Sequence, residues 1–594
     1  MPCKATFLLI FAILSGAGIV HSQNRTFWDE TDMSVFRASG SVGFTASTYA
    51  ANGIENRRAP GLFQTTANVG VTSFGFRSGL ILNYSTDDSG LRQNMNTVSY
   101  RANWRWVHVQ GGDVNTRFSE YGLNGATIRG GYIKLEPGSF LLEVTGGRSK
   151  RAVRPRLETG FREPAFEQWA FGGKIGVGRT SGNYFHLSTF YARDNAGSLG
   201  QSFQSTQSSQ SSQSSQASQA GQFIPAIRPQ ENLTITPDFR VSFMDNRLSF
   251  QSELTVSAFT RDITSPTLSA SDLSVPDFVT GIYQPTTSTR LNFAGKSMAG
   301  YRSDLFDLTL GYERVQPGFM SLGRGSIRSD QERINMSPTF RLWDQRLTVR
   351  SNLSLSRDNL LGSRLQTQTG TNAATSVQVL VTETLNITVS YDLLLNNIKI
   401  EAAEGMEPLP GGQQQVSHNI MLQPNFTIVS DDIIQNITVS GGFMSMDTQL
   451  RDDVPGIDRS FLSESYIGML GYTITLPTGI TLSSSGNYLV NRSDGGHITN
   501  TGVNAGTSYG FFNRRLTFSF NGGFNHNQFE RELPTGTTIR NRTRQMSGSL
   551  NFSWRLMDKN AFNLMVRSRN NRMIEGGDNN FTELEAALRY QRTF

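Results

Sequence analysis

Cysteine, lysine and long apolar runs are all scarce in this sequence, and each scarcity excludes something. The one cysteine, Cys3, lies inside the N-terminal apolar segment and away from any cleavage point. Disulfides, thiol catalysis and lipid attachment are therefore not expected in the mature chain. Beyond that segment no run of about 18 apolar residues occurs, which rules out a helical membrane span. Lysine stands only at Lys4, Lys134, Lys150, Lys174, Lys296, Lys399 and Lys559, so the net charge of +6 comes from dispersed arginine. With no basic block, nucleic acid is not an expected partner.

What is present begins with Lys4, the apolar run Phe7 to Leu14, and small residues ending Val20-His21-Ser22. This is the pattern of a secretory signal peptide. The expected organisation is a signal peptide over 1–22, a short periplasmic segment over 23–33, and one folded unit over 34–594. About a dozen residues between Ser22 and the first strand near Ser34 leave no room for a plug domain or an energy-coupling box, which disfavours TonB-dependent transport.

Through the folded unit, apolar and polar residues alternate with a period of two over stretches of about ten residues, as half-buried strands require. Leu347, Val349, Leu353 and Leu355 alternate with Thr348, Arg350, Asn352 and Ser354. Met546, Leu550, Phe552 and Trp554 alternate with Ser547, Ser549, Asn551 and Ser553, and Leu584, Ala586, Leu588 and Tyr590 with Glu583, Glu585 and Arg589. A soluble β-sandwich or solenoid would alternate in the same way, so the connections decide.

Tight turns near 73–76, 102–104, 136–139, 179–182, 244–246, 303–305, 343–345, 383–386, 430–433, 477–479, 512–514 and 557–560 are separated by longer polar loops. These fall near 51–61, 87–95, 111–123, 150–164, 195–231, 261–288, 317–330, 359–372, 398–413, 448–462, 492–497, 529–539 and 572–580. Short turns on one side and long loops on the other build transmembrane barrels. The expected fold class is all-β, a single transmembrane antiparallel β-barrel of roughly 26 strands. Within 195–231 a Ser/Gln repeat cannot bury apolar area and is expected to be a disordered external loop. Trp343, Trp554, Tyr590, Phe511 and Phe512 are placed where an interfacial aromatic girdle would lie.

The terminal Arg589-Tyr590-Gln591-Arg592-Thr593-Phe594, with the signal peptide and the strands, resembles bacterial outer-membrane β-barrels, whose last strand ends in Phe. Arg592 stands where an aromatic or apolar residue is more usual. Two inner stretches, Trp104-Arg105-Trp106-Val107-His108-Val109-Gln110-Gly111-Gly112-Asp113-Val114 and Tyr312-Glu313-Arg314-Val315-Gln316-Pro317-Gly318-Phe319-Met320-Ser321-Leu322-Gly323, are similar to large Bacteroidota-type barrels, a porin-like group. The resemblance implies a bacterial outer-membrane location and outer-membrane lipid and lipopolysaccharide as surroundings.

Chemistry is sparse. His108, His186, His418, His497 and His526 lie far apart and outside any nucleophile motif, so no enzyme, cofactor or metal site is expected. Asp87-Asp88, Asp431-Asp432 and Asp452-Asp453 read as solvated turn carboxylates, and Gly111-Gly112 and Gly172-Gly173 as relief of crowding or bulges. Strand parity turns Asp238, Arg240, Glu253, Glu313, Arg341, Arg350, Arg555, Arg567, Arg569 and Arg589 toward a lumen, where they would keep it hydrated or tune selectivity for an anionic solute or peptide. The expected function is a pore or transport conduit, the alternative a scaffold or translocation component that anchors or exports a partner protein. A barrel this wide cannot stand open, so occlusion is expected from the loops 150–164, 261–288 and 398–413 or from a partner protein. The apolar content of 261–288 makes it the first candidate.

Overall fold

The computed structural model describes residues 36–86, 96–153, 164–199, 227–268, 283–400, 412–450, 460–533 and 535–594. Among these, 26 strands run from β1 (Arg37–Asn52) to β26 (Phe581–Thr593), each antiparallel to its neighbours in sequence. β1 pairs with β26, Phe44 opposite Tyr590, and the ring closes. Closure removes the free edges that an open sheet would present, so every strand finds backbone partners on both sides. At a strand spacing of about 4.8 Å and a tilt of about 40°, such a ring measures roughly 50 Å across, backbone to backbone.

The large apolar side chains point out of the ring. Leu187, Ile420, Leu550 and Phe552 are exposed, and such residues recur on the outer face all round the barrel. A soluble sheet would bury that face; this one buries the other, and only in part. Aromatic rings gather on the outer face near the short turns: Trp554, Phe562 and Tyr590 lie side by side on adjacent strands, with centroids 6.1 and 4.8 Å apart. Trp343 and Phe512 project from the turns themselves.

All twelve expected tight turns are present, that near 102–104 lying slightly later, between Trp104 and Val107. Four share one geometry. In Met244-Asp245-Asn246-Arg247, Trp343-Asp344-Gln345-Arg346, Phe512-Asn513-Arg514-Arg515 and Met557-Asp558-Lys559-Asn560 the fourth amide donates to the first carbonyl at 3.0–3.1 Å. The first three hold all their leading residues at positive φ, where Asp and Asn are tolerated best. Several loops are shorter than expected: 111–123 reduces to 118–123, 359–372 to 359–365, 529–539 to 533–537 and 572–580 to 576–580, and 492–497 is only a tight connection around Asp494-Gly495. The signal segment and the Ser/Gln repeat lie outside the described residues, as do Asp87, Asp88, Asp452 and Asp453.

Strand length is uneven. From the third to the fifteenth strand the lengths are 8 to 14 residues, whereas β16 (Gln366–Thr382) to β25 (Asn560–Glu575) have 13 to 19. About 9–11 tilted residues cross a bilayer, so the longer strands carry the wall beyond the apolar band on one side of the barrel.

Candidate functional site

Among the described residues the lumen gathers polar groups from many strands, and its two sides differ. On one side two loops fold inward. The first, 118–123, joins β5 (Val107–Arg117) to β6 (Asn124–Leu135); the second, 316–330, joins β13 (Phe306–Val315) to β14 (Gln331–Leu342). They dock on each other through Asn124 N–H to Gly323 O (2.9 Å), Ser321 Oγ to Gly122 O (2.7 Å) and Arg324 Nη1 to Glu120 O (2.8 Å). Phe118, Leu123 and Phe190 form one buried apolar cluster, Tyr121, Val315 and Phe319 another.

The barrel wall supplies the polar anchors. Glu253 on β11 (Leu248–Thr260) accepts the amides of Glu120 at 2.6 Å and Tyr121 at 3.2 Å. Glu313 accepts the Tyr121 hydroxyl at 2.8 Å. Burial first, then the Glu313 carboxylate, hold that hydroxyl well above the ordinary tyrosine range, so it remains a donor. Lys174 on β8 (Glu167–Gly178) donates to Phe118 O at 3.0 Å, and Asn232 on β10 (Glu231–Phe243) accepts the Leu322 amide at 3.1 Å. Backbone groups of a loop inside a barrel need such partners, because little water reaches them.

Two glycines make room. A Cβ on Gly172 would sit 2.8 Å from the Phe118 ring, and one on Gly323 would sit 2.6 Å from Gly122 O and 2.8 Å from the Phe190 ring. Gly323→Val is therefore expected to undock the second loop, at the roughly 1–3 kcal/mol usual for overpacking. Thiol labelling of a Ser321→Cys probe should accelerate in that background. Unchanged labelling would show that the loops do not depend on their mutual packing.

These loops are not those expected to fill the lumen. Of 150–164, 261–288 and 398–413, the central parts 154–163, 269–282 and 401–411 lie outside the described residues. What is described of them pairs locally: Val153 bridges Ala165, Thr267 bridges Thr286, and buried Tyr283 bonds to Thr260. The stretches 118–123 and 316–323 carry Phe118, Tyr121, Leu123, Phe319, Met320 and Leu322. The excess of apolar residues that pointed to 261–288 was there to be seen in them as well.

On the opposite side of the lumen the described residues leave a concavity. Between β19 (Ile433–Leu450) and β26 a concave pocket of about 740 Å³ has a floor of small polar and glycine residues, among them Ser483, Ser485, Asn504, Gly506, Asn521, Gly523, Ser547 and Ser549. Charged groups close one edge. Arg57 lies 3.5 Å from Glu583 and Arg58 3.1 Å from Glu585, and Arg569 reaches Glu583 at 3.9 Å. Arg567 lines the same pocket.

The sequence-derived lumen residues thus fall into three groups. Glu253 and Glu313 meet at Tyr121, with Asp238 opposite Glu253 in register. Arg567 and Arg569 meet Arg57 and Arg58 across the two glutamates. Arg240, Arg341, Arg350, Arg555 and Arg589 are not brought together; each lies in the turn-proximal part of its own strand. Arg341 pairs with Asp307, and Arg589 bonds to Gln591 at 3.2 Å. The five histidines occupy five different strands, and among the described residues no three His, Cys, Asp or Glu side chains gather as a metal set.

Fold and lumen together define a large closed β-barrel with an apolar outside and a polar inside. No family model and no curated protein matches the chain. Among solved structures it is similar to a BenF-like porin from Pseudomonas fluorescens Pf-5, at 11% identity over 62% of this chain and 92% of that one, with a TM-score of 0.28. It is also similar to Acinetobacter baumannii OccAB4, at 10% over 62% and 92%, TM-score 0.27. The translocation pore of the P pilus usher PapC is covered more fully, at 9% over 94% and 99%, TM-score 0.30. Likeness at this level leaves the function to be argued from the chain's own residues.

Proposed function

We propose that this chain spans a bacterial outer membrane and forms a conduit for a hydrophilic solute, narrowed by its own loops 118–123 and 316–330. One observation carries the reading: a closed ring of 26 strands turns its large apolar side chains outward and polar ones inward. That inversion suits lipid outside and water inside. Arg341 is balanced by Asp307, but the turn-proximal arginines Arg240, Arg350, Arg555 and Arg589 have no ion pair among the described residues and make the short-turn half of the lumen positive, which supports preference for anions. The resemblance of 104–114 and 312–323 to Bacteroidota barrels supports that lineage; the second of these stretches contributes one of the inward loops.

In planar bilayers under a salt gradient, the purified protein is expected to give discrete conductance steps with a reversal potential displaced toward that of the anion. Steps with cation preference would remove the assigned solute class. No steps, together with a stoichiometric companion in mass spectrometry of the purified material, would replace the conduit by a scaffold for a partner protein.

A further inference from the structure

The outer face of the long strands changes character abruptly. Along β24 (Thr538–Leu556) the outward positions run Trp554, Phe552, Leu550, Gly548 and Met546 from the short turn, and then Arg544, Arg542 and Arg540. Met546, the last apolar residue, is 58% exposed, so the apolar band ends there and the next outward residue is charged. Arg540 and Arg542 are balanced: Glu530 lies at 3.3 and 3.5 Å, and Glu575 lies 3.5 Å from Arg542.

Arg544 is not balanced. Its direct register partners are His526 on β23 (Leu516–Glu532) and Arg572 on β25, and all three share the outer face. Among the described residues the side chains of Arg544 and Arg572 have no ion pair or hydrogen bond, and His526 Nδ1 has no partner. Like charges directly opposite on neighbouring strands destabilise a sheet unless an anion lies between them.

We propose that the row His526, Arg544 and Arg572 holds a phosphate of an anionic glycolipid in the outer leaflet. Neighbouring strands lie about 4.8 Å apart, so two guanidinium groups from adjacent strands can converge on one phosphate, for which their planar donor forks are suited. The row stands about 7 Å along the strand from Met546, the level at which acyl chains give way to headgroups. The exposed strip of Met546, Leu550 and Phe552 directly beneath provides for the acyl chains of the same molecule, which is why a lipid rather than free phosphate is assigned. The inference rests on the membrane-spanning reading above.

The test uses the full chain in phosphatidylcholine nanodiscs doped with a diphosphorylated lipid A or with its dephosphorylated form, and native mass spectrometry counts the glycolipid retained. The wild type is expected to retain the phosphorylated form and release the other. Arg544→Gln with Arg572→Gln should lower retention roughly tenfold or more, as removal of two charge-assisted hydrogen bonds implies. Arg544→Lys with Arg572→Lys should preserve most of it, and Arg531→Gln, at an inner-face position of β23, should leave retention unchanged. Equal retention of both glycolipids, equal retention by the glutamine pair, or displacement by millimolar inorganic phosphate would each overturn the proposal. The two glycolipids are compared on the wild type, so misassembly of a variant does not protect it. A wild type that fails to insert into the nanodisc would overturn the membrane reading itself.

Discussion

Phe552→Arg is expected to block membrane insertion or to cost about 2–4 kcal/mol, while Ser553→Arg one residue away is tolerated. Leu353→Arg and Ser354→Arg should form a second such pair. Phe552 stands in register between Phe518 and Leu564 on the outer face, and Ser553 between Thr517 and Asn563 on the inner one. Hydrocarbon cannot solvate a guanidinium, whereas a hydrated lumen can, so identical substitutions on adjacent residues should differ by the full transfer penalty. Heat-modifiable mobility of the folded form, and its unfolding in urea after refolding into vesicles, report the difference. Equal effects at Phe552 and Ser553 would mean that the outer face does not meet lipid.

Glu253→Ala should release the first inward loop. It removes the acceptor shared by the Glu120 and Tyr121 amides, and orphaning buried donors costs about 1–3 kcal/mol. Exchange protection over 118–123 should then fall roughly 10- to 100-fold, since the free energy of local opening drops by the worth of the two hydrogen bonds to the carboxylate. Glu253→Gln keeps one oxygen in place and should lose much less. The loops pack against each other, so the conductance of the alanine variant is expected to rise and become noisier. Unchanged exchange over 118–123 would assign the docking to Tyr121, Phe319 and their apolar neighbours instead of to the carboxylate.

The sequence by itself determined the ring. Strict alternation decides which residues share a face, and twelve turns marked by residues such as Asp245-Asn246, Asp344 and Gly479 decide where the chain reverses; both signals are local. Antiparallel neighbours joined by short turns have little freedom in how they pair, which is why the strand number could be counted from turns and loops alone. The inward or outward parity of Glu253 and Arg567 follows from the same rule.

Only the tertiary structure decided which loops enter the lumen, because that depends on residues far apart in the chain coming together. Glu253 meets the amide of Tyr121 and Asn232 meets that of Leu322 only once the ring has closed, and the spaces left by Gly172 and Gly323 exist only between docked segments. The same holds outside the barrel: Arg544 and Arg572 are 28 positions apart, and the register of two long strands sets them side by side with no counter-charge. Periodicity fixes the face of a residue, but its neighbours across the sheet are fixed by the register, and the occupants of the lumen by how well a loop's apolar side chains and backbone donors are met by the wall.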